Sequence, residues 1–351
     1  MAPGTPAPTF APLSTVAPAP TALRTAVPTV APATPAAAAP VVYIPIEPNN
    51  AIDVQEVART TCKGAIRLVW STLGDALAVE SRSTVSLFGA GSLSIIRTTT
   101  PSPPSKILDF SPDSNTLATT GNQNQVELSS MATGESLRTI HPGEQFTEGI
   151  FSPDGQTFAV SPLMEIAATL WDTSTGREIK KLTGFKTAAP VYGFTFGPYG
   201  RTLIWRARAT VQLQDIASGR LGPVFSHEDF VSAVALAPGG RTLATVVPGR
   251  SGNQMAGMIR LWDSASGKEL AILTQNNGVA RSIAFSPDGR LLAASSGNTI
   301  ELWDVARRQI LAALLGHTGP VDLVAFSPDS AALASAPGDG TVHLWRLPPM
   351  K

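Results

Sequence analysis

The sequence predicts an all-β protein made of seven repeated four-stranded units. A short turn of the Ser-Pro-Asp-Gly kind recurs seven times, first at Ser71, Ser111, Ser152, Gly197, Ala237, Ser286 and Ser327, at intervals of 40 to 49 residues. Apolar alternations such as Ile66-Leu68-Trp70, Ile283-Phe285 and Val324-Phe326 lead into those turns, the period-two mark of short strands. Glycine and proline, at 30 each, make the chain dense in turns. Spacing at a fixed period and the strand count favour a radial array, because one unit cannot bury its own face.

Each unit reads in the same order. An inner strand ends in an aromatic or aliphatic residue, as at Phe151 and Phe285, and the turn follows. Proline presets φ for its second position, and the trailing glycine supplies the left-handed residue that rejoins the next strand. About 17–19 residues after the turn comes a strand ending in an aromatic, often followed by Asp: Leu87-Phe88, Leu170-Trp171-Asp172, Leu261-Trp262-Asp263, Leu302-Trp303-Asp304 and Leu344-Trp345. Two units depart, with Leu128-Ser129 and Leu213-Gln214-Asp215. A further turn and an amphipathic strand, such as Glu178–Leu182 or Glu269–Leu273, complete the four.

These residues resemble the WD-repeat family over roughly Ala51 to Pro348. The resemblance implies a seven-bladed β-propeller of four-stranded antiparallel blades around a central channel. The seventh unit has three strands after His317, about 321–326, 331–335 and 342–345, and the sequence then ends. The segment Val54–Arg59 alternates suitably, so it is expected to complete the last blade and close the ring. The resemblance also implies that His317, Ser335, Asp339 and Trp345 form a structural hydrogen-bonded tetrad. Their types invite a catalytic reading, but their places in the repeat are those of a blade lock. His227 and His141 match the pattern in part, and His343 alternates outward and is expected to be exposed.

Residues 1–46 differ in character. Thirty of the first forty residues are Ala, Pro or Thr, and Arg24 is the only charge before Glu47. Such a segment buries little, so a disordered stalk is expected. Uncharged Pro/Thr tethers resemble the spacers of exported bacterial envelope proteins, which favours an extracellular or envelope location over the cytoplasm. Neither a basic n-region nor an apolar h-region stands at the start, so an export signal is expected upstream of Met1 if at all.

Composition narrows function more by exclusion. Twenty-six basic and 26 acidic residues balance, against the basic excess that nucleic acid or an anionic membrane favours. Charged residues are only 15% of the chain. One cysteine, Cys62, excludes an internal disulfide and any Cys cluster, and four dispersed histidines offer no metal-ligand spacing. No apolar run reaches the length of a membrane span. The WD-repeat resemblance implies protein binding, so the expectation is a monomeric, non-enzymatic scaffold for a protein or peptide partner, with no catalytic, cofactor or metal residues. The rivals are an envelope receptor for a small ligand or glycan and, more remotely, a propeller enzyme.

Two irregularities mark the candidate binding rim. The fifth unit carries a surplus, Pro248–Met255, between its second and third strands, including Arg250 and Asn253. It is expected to be a long loop that the resemblance places on the upper rim, with a merely tolerated Gly-rich insertion as the alternative. The fourth reads Trp205-Arg206-Ala207-Arg208 where others have small residues. Those cations and that indole are expected at the channel mouth, ready for a carboxylate, a phosphate or an acidic peptide, with a salt bridge to Glu165 or another neighbouring acid as the plain alternative. Glu80, Arg82, Asn124 and Asn298, with Asn122 and Gln123, are expected around the same rim.

Overall fold

A computed structural model describes residues 44–81, 83–100, 105–163, 165–183, 191–251, 254–275 and 278–347. They form seven separate four-stranded antiparallel sheets. Six sheets take four consecutive strands, and blades are numbered here from the N-terminus. Their inner strands are Ala65–Trp70, Ile107–Phe110, Phe146–Phe151, Val191–Phe196, Ala233–Leu236, Ile283–Phe285 and, in blade 7, Val321–Phe326. The inner strands of blades 7 and 1, 2 and 3, 5 and 6, and 6 and 7 lie in contact.

The seventh sheet is composite. Gln55–Thr61 lies along the outer side of Thr341–Arg346, antiparallel, from Gln55 opposite Arg346 to Thr61 opposite Thr341. A bulge between Glu56 and Ala58 shifts the register once. Closure thus comes from the expected segment, with the strand starting one residue later and ending two residues later than Val54–Arg59. Ile46, within the stretch that composition assigns to the stalk, is fully buried, and its N–H donates to the Ser330 carbonyl at 2.8 Å.

The core is divided among the blade interfaces. Among the described residues there are seven apolar clusters, each joining two neighbouring blades. The interface between blades 7 and 1 is packed like the rest, with Leu68, Trp70 and Leu77 against Ala334, Val342 and Leu344. Ile46, Ala51 and Val54 join the cluster between blades 6 and 7. The N-terminal segment therefore seals both a sheet edge and a core.

The recurring turn has a physical logic visible in blade 6. Ser286 Oγ donates to Asp288 Oδ1 at 2.5 Å and accepts the Leu291 N–H at 2.9 Å, while Gly289 sits at φ +73°. Ser327 and Asp329 repeat this in blade 7, where Ser330 takes the left-handed position at φ +59°.

Two expectations need correction. The surplus in blade 5 is no loop: Thr242–Ser251 and Gln254–Asp263 form one continuous hairpin, paired through Pro248–Gly257, Gly249–Ala256, Arg250–Met255 and Ser251–Gln254. The extra residues pair in register on both strands, so the ladder is longer and not interrupted. His343 is buried at 2% exposure, because the closing strand covers it: its Nδ1 lies 3.0 Å from Glu56 Oε2 and its Nε2 3.0 Å from Thr341 Oγ1.

Candidate functional site

The two ends of the channel differ. One face carries the Ser-Pro-Asp-Gly turns; the other, called upper here, carries the connections between second and third strands and the entries into the inner strands. The inner wall is built by alternation, and bulges in the inner strands of blades 1, 2, 3, 4 and 7 re-aim side chains there.

Blades 1 to 3 place buried and half-buried charges on and beside this wall. Arg67 Nη1 pairs closely with Asp109 Oδ1, and its Nε lies 3.8 Å from Glu80 Oε2. Asp109 Oδ2 accepts the Phe151 N–H of blade 3 at 2.7 Å, and Glu148 Oε1 accepts the Phe194 N–H of blade 4 at 3.2 Å. Each carboxylate ties its inner strand to the next blade. Gly193 is required beside Glu148, since its φ is +132° and a Cβ would overlap the carboxylate. Burial pushes the Glu80 carboxyl up to about 7, against the pull of Arg67. Burial likewise raises Asp109 and Glu148, and Arg67 is held up by Asp109 and Glu80 although burial pulls it down.

Blades 4 to 6 form the cationic part of the upper rim. A cavity of about 530 Å³ is lined by Arg206, Arg208, Phe230, Val231, Ser232 and Arg281. Arg206 also lines a deeper neighbouring cavity of about 230 Å³, with Glu148 and Ser282. Arg206 Nη1 reaches the Ser232 carbonyl at 3.5 Å, and Ser232 Oγ donates to the Ala280 carbonyl at 2.8 Å. Arg281 Nη1 lies 2.6 Å from Asp322 Oδ1 of blade 7. The base of the long blade 5 hairpin borders this region, because the Ser232 N–H donates to the Val246 carbonyl at 2.9 Å and Val247 packs on Val231 and Val211.

The expected rim residues therefore divide. Arg206 and Arg208 meet, joined by Arg281, Phe230 and Ser232, which the sequence reading missed. Trp205 does not line the rim: it is 1% exposed, donates Nε1–H to Gln214 Oε1 at 2.8 Å and stands edge-on to Phe194 at 5.4 Å. On a strand it points opposite to Arg206, into the interface of blades 3 and 4. Glu80, at 3% exposure, belongs to the inner ion cluster and not the open rim. Glu165 pairs with Lys181 at 2.8 Å, not with Arg206 or Arg208. Asn124 and Asn298 are exposed on connections of blades 2 and 6. Arg82 and Asn253 lie outside the described residues, and Arg250 is placed by its ladder partner Met255.

Blade 7 holds three members of the expected tetrad together. His317 Nε2 lies 2.7 Å from Ser335 Oγ, and Trp345 Nε1–H donates to the same oxygen at 2.7 Å. Asp339 instead accepts from Thr318 Oγ1 at 2.6 Å and Thr341 Oγ1 at 2.7 Å, and His317 Nδ1 has no hydrogen-bond partner among the described residues. Blade 5 has a reduced version: Trp262 Nε1–H donates to Thr245 Oγ1 at 2.8 Å, with His227 edge-on to the indole at 5.3 Å and unbonded at both ring nitrogens among the described residues.

Burial lowers both His317 and His227 to about 4, helped by His343 in one case and Arg260 in the other. An imidazole depressed on folding stays neutral while the unfolded chain takes up protons. Its stabilisation is complete above about pH 6.5 and is lost as pH falls toward 4. Glu80 has the opposite sign: its contribution is present below about 4.5 and lost as pH rises through 7. His227→Leu should thus raise stability at pH 4 by about 1–2 kcal/mol after discounting partial exposure, with little change at pH 8. Urea titrations at both pH values check this; an equal change at the two would contradict it.

Among the described residues no group of three or more His, Cys, Asp or Glu side chains is placed to hold a metal ion, and no helix is long and apolar enough to cross a membrane. Residues 267–304 and 308–346 match the family model described as WD domain, G-beta repeat. Each matched unit joins the outer strand of one blade to three strands of the next. The chain is also 30% identical over 142 residues to an uncharacterized WD repeat-containing protein of Synechocystis sp.. That match takes in 39% of this chain and spans only 37% of the relative.

Proposed function

We propose, from the premise that the chain is a WD-repeat β-propeller, that it is a non-enzymatic scaffold presenting its upper rim to a protein or peptide partner. Protein binding is the usual work of this family, and fold alone fixes no partner. One observation carries the choice of surface: the hairpin of blade 5, with two ten-residue strands, stands beside the cationic cavity of blades 4 to 6. A rigid scaffold with a projecting element is how repeat folds display binding groups.

The test is cross-linked affinity capture with three chains: wild type, a variant whose residues 249–256 are replaced by an Asn-Gly turn, and a lower-face variant, Tyr199→Ala with Arg201→Glu. Capture should be lost only with the shortened hairpin, all three melting alike. Capture indifferent to the hairpin, or lost with the lower-face pair, overturns the assignment. A second reading, a small-ligand receptor, is favoured by the channel cavity of about 660 Å³ walled by Trp70, Phe110, Phe151, Phe196 and Phe326. It requires a ligand-dependent rise in melting temperature that partner capture does not need.

A further inference from the structure

We infer that the cavity bounded by Arg206, Arg208, Phe230 and Arg281 is an acidic-peptide site. It takes carboxylate side chains of an extended partner segment on its guanidinium groups, and an apolar side chain of the same segment against Phe230. The inference rests on reading the upper rim as the partner surface and goes further by naming the chemistry of what binds.

Charge is the first ground. Three arginines and no carboxylate are among the described residues that line the cavity, in a chain whose charges balance overall. The exposed Arg208 side chain has no hydrogen bond or ion pair among the described residues. Among the described residues, the Arg206 side chain has only a carbonyl at 3.5 Å and the field it shares with Glu148. A guanidinium offers five donors in a fixed fork suited to carboxylate oxygens, so most of this donor capacity is unused.

Arg281 supplies the second ground, because it already binds a carboxylate in the expected manner. Its Nη1 holds Asp322 at 2.6 Å while 62% of its side chain remains exposed, and its other guanidinium donors have no hydrogen-bond partner among the described residues. The nearest acids in sequence do not fill the cavity. Glu228 and Asp229 are exposed, neither lines it, and Asp229 Oδ1 turns back to accept the Phe230 N–H at 2.7 Å.

Phe230 is the third ground. It is 45% exposed at the mouth of this charged cavity, beside the largely buried Val231. An aromatic among cations pairs an apolar contact with electrostatic attraction, which suits mixed acidic and apolar segments. Balanced overall charge and only three local cations set the site apart from the extended basic tracks that nucleic acid requires.

The experiment selects peptides from a random-peptide display library on the whole chain, wild type and Arg208→Glu. Arg208 was chosen because its side chain supports nothing else among the described residues. Selected peptides should be enriched in Asp and Glu around an aromatic or aliphatic residue. The best of them, made synthetically, should bind about tenfold more weakly to Arg208→Glu and to Phe230→Ser, more weakly at high salt, and not at all with Asn and Gln in place of its acids. Peptides without acidic enrichment, no selected peptides, or equal affinity for Arg208→Glu would overturn the inference. If whole-partner capture survives Arg208→Glu while selection fails, this site falls and the scaffold reading stands. If capture ignores the hairpin while acidic peptides still bind, the reverse holds.

Discussion

Removing residues 1–61 should open the ring and lower the melting temperature by the order of 10 °C or more, relative to a chain beginning at Tyr43. The Gln55–Thr61 strand pairs with blade 7 at six positions, and each net backbone hydrogen bond contributes about 0.5–1.5 kcal/mol. Ile46, Ala51 and Val54 leave the cluster between blades 6 and 7 in the same deletion. His343 loses Glu56, its partner at 3.0 Å, and its cover. The exposed edge of Thr341–Arg346 then becomes a template for association between copies, so aggregation on heating should accompany the loss. Calorimetry on both chains decides; melting within a degree or two of each other would refute the closure.

Trp345→Ala should cost about 3–5 kcal/mol, the range for deleting a large buried aromatic. The indole is 2% exposed in the cluster between blades 6 and 7 and stacks on His343 at 5.9 Å between ring centres. Its loss also takes the donor from Ser335 Oγ, the atom that joins it to His317. Trp345→Phe keeps most of the packing and removes only the N–H, so it should cost about 1–2 kcal/mol. Denaturant titrations give the ordering. Equal losses would mean that packing alone matters and that the hydrogen-bonded chain through Ser335 contributes nothing.

What was legible in the sequence depended on local chemistry. The turns announced themselves because their Ser, Asp and Gly act within five residues of one another, and seven copies fix the blade number. Closure was legible because strand arithmetic left one blade short. The inner ion cluster was not, because Arg67, Asp109 and Glu148 sit in three different repeats and meet only once the ring forms. A signal existed: Arg67 and Glu148 each stand four residues before a turn, on inner strands otherwise mostly apolar. Trp205 was misplaced by a single step of strand alternation, which separates a core indole from a rim guanidinium. Phe230 and Arg281 lie on entries to inner strands, where no repeat motif draws attention to them. Asp339 satisfies its oxygens on nearby threonines, a competition that spacing does not reveal.

A rim can hold binding groups in fixed positions only if the ring beneath it is closed. Hydrogen exchange of the intact chain measures that most directly. The amides of Gln55–Thr61 that pair with Thr341–Arg346 should exchange as slowly as those of Leu333–Pro337 in the interior of the same blade. Exchange of Gln55–Thr61 on the timescale of an unstructured terminus, with blade 7 still protected, would contradict the account.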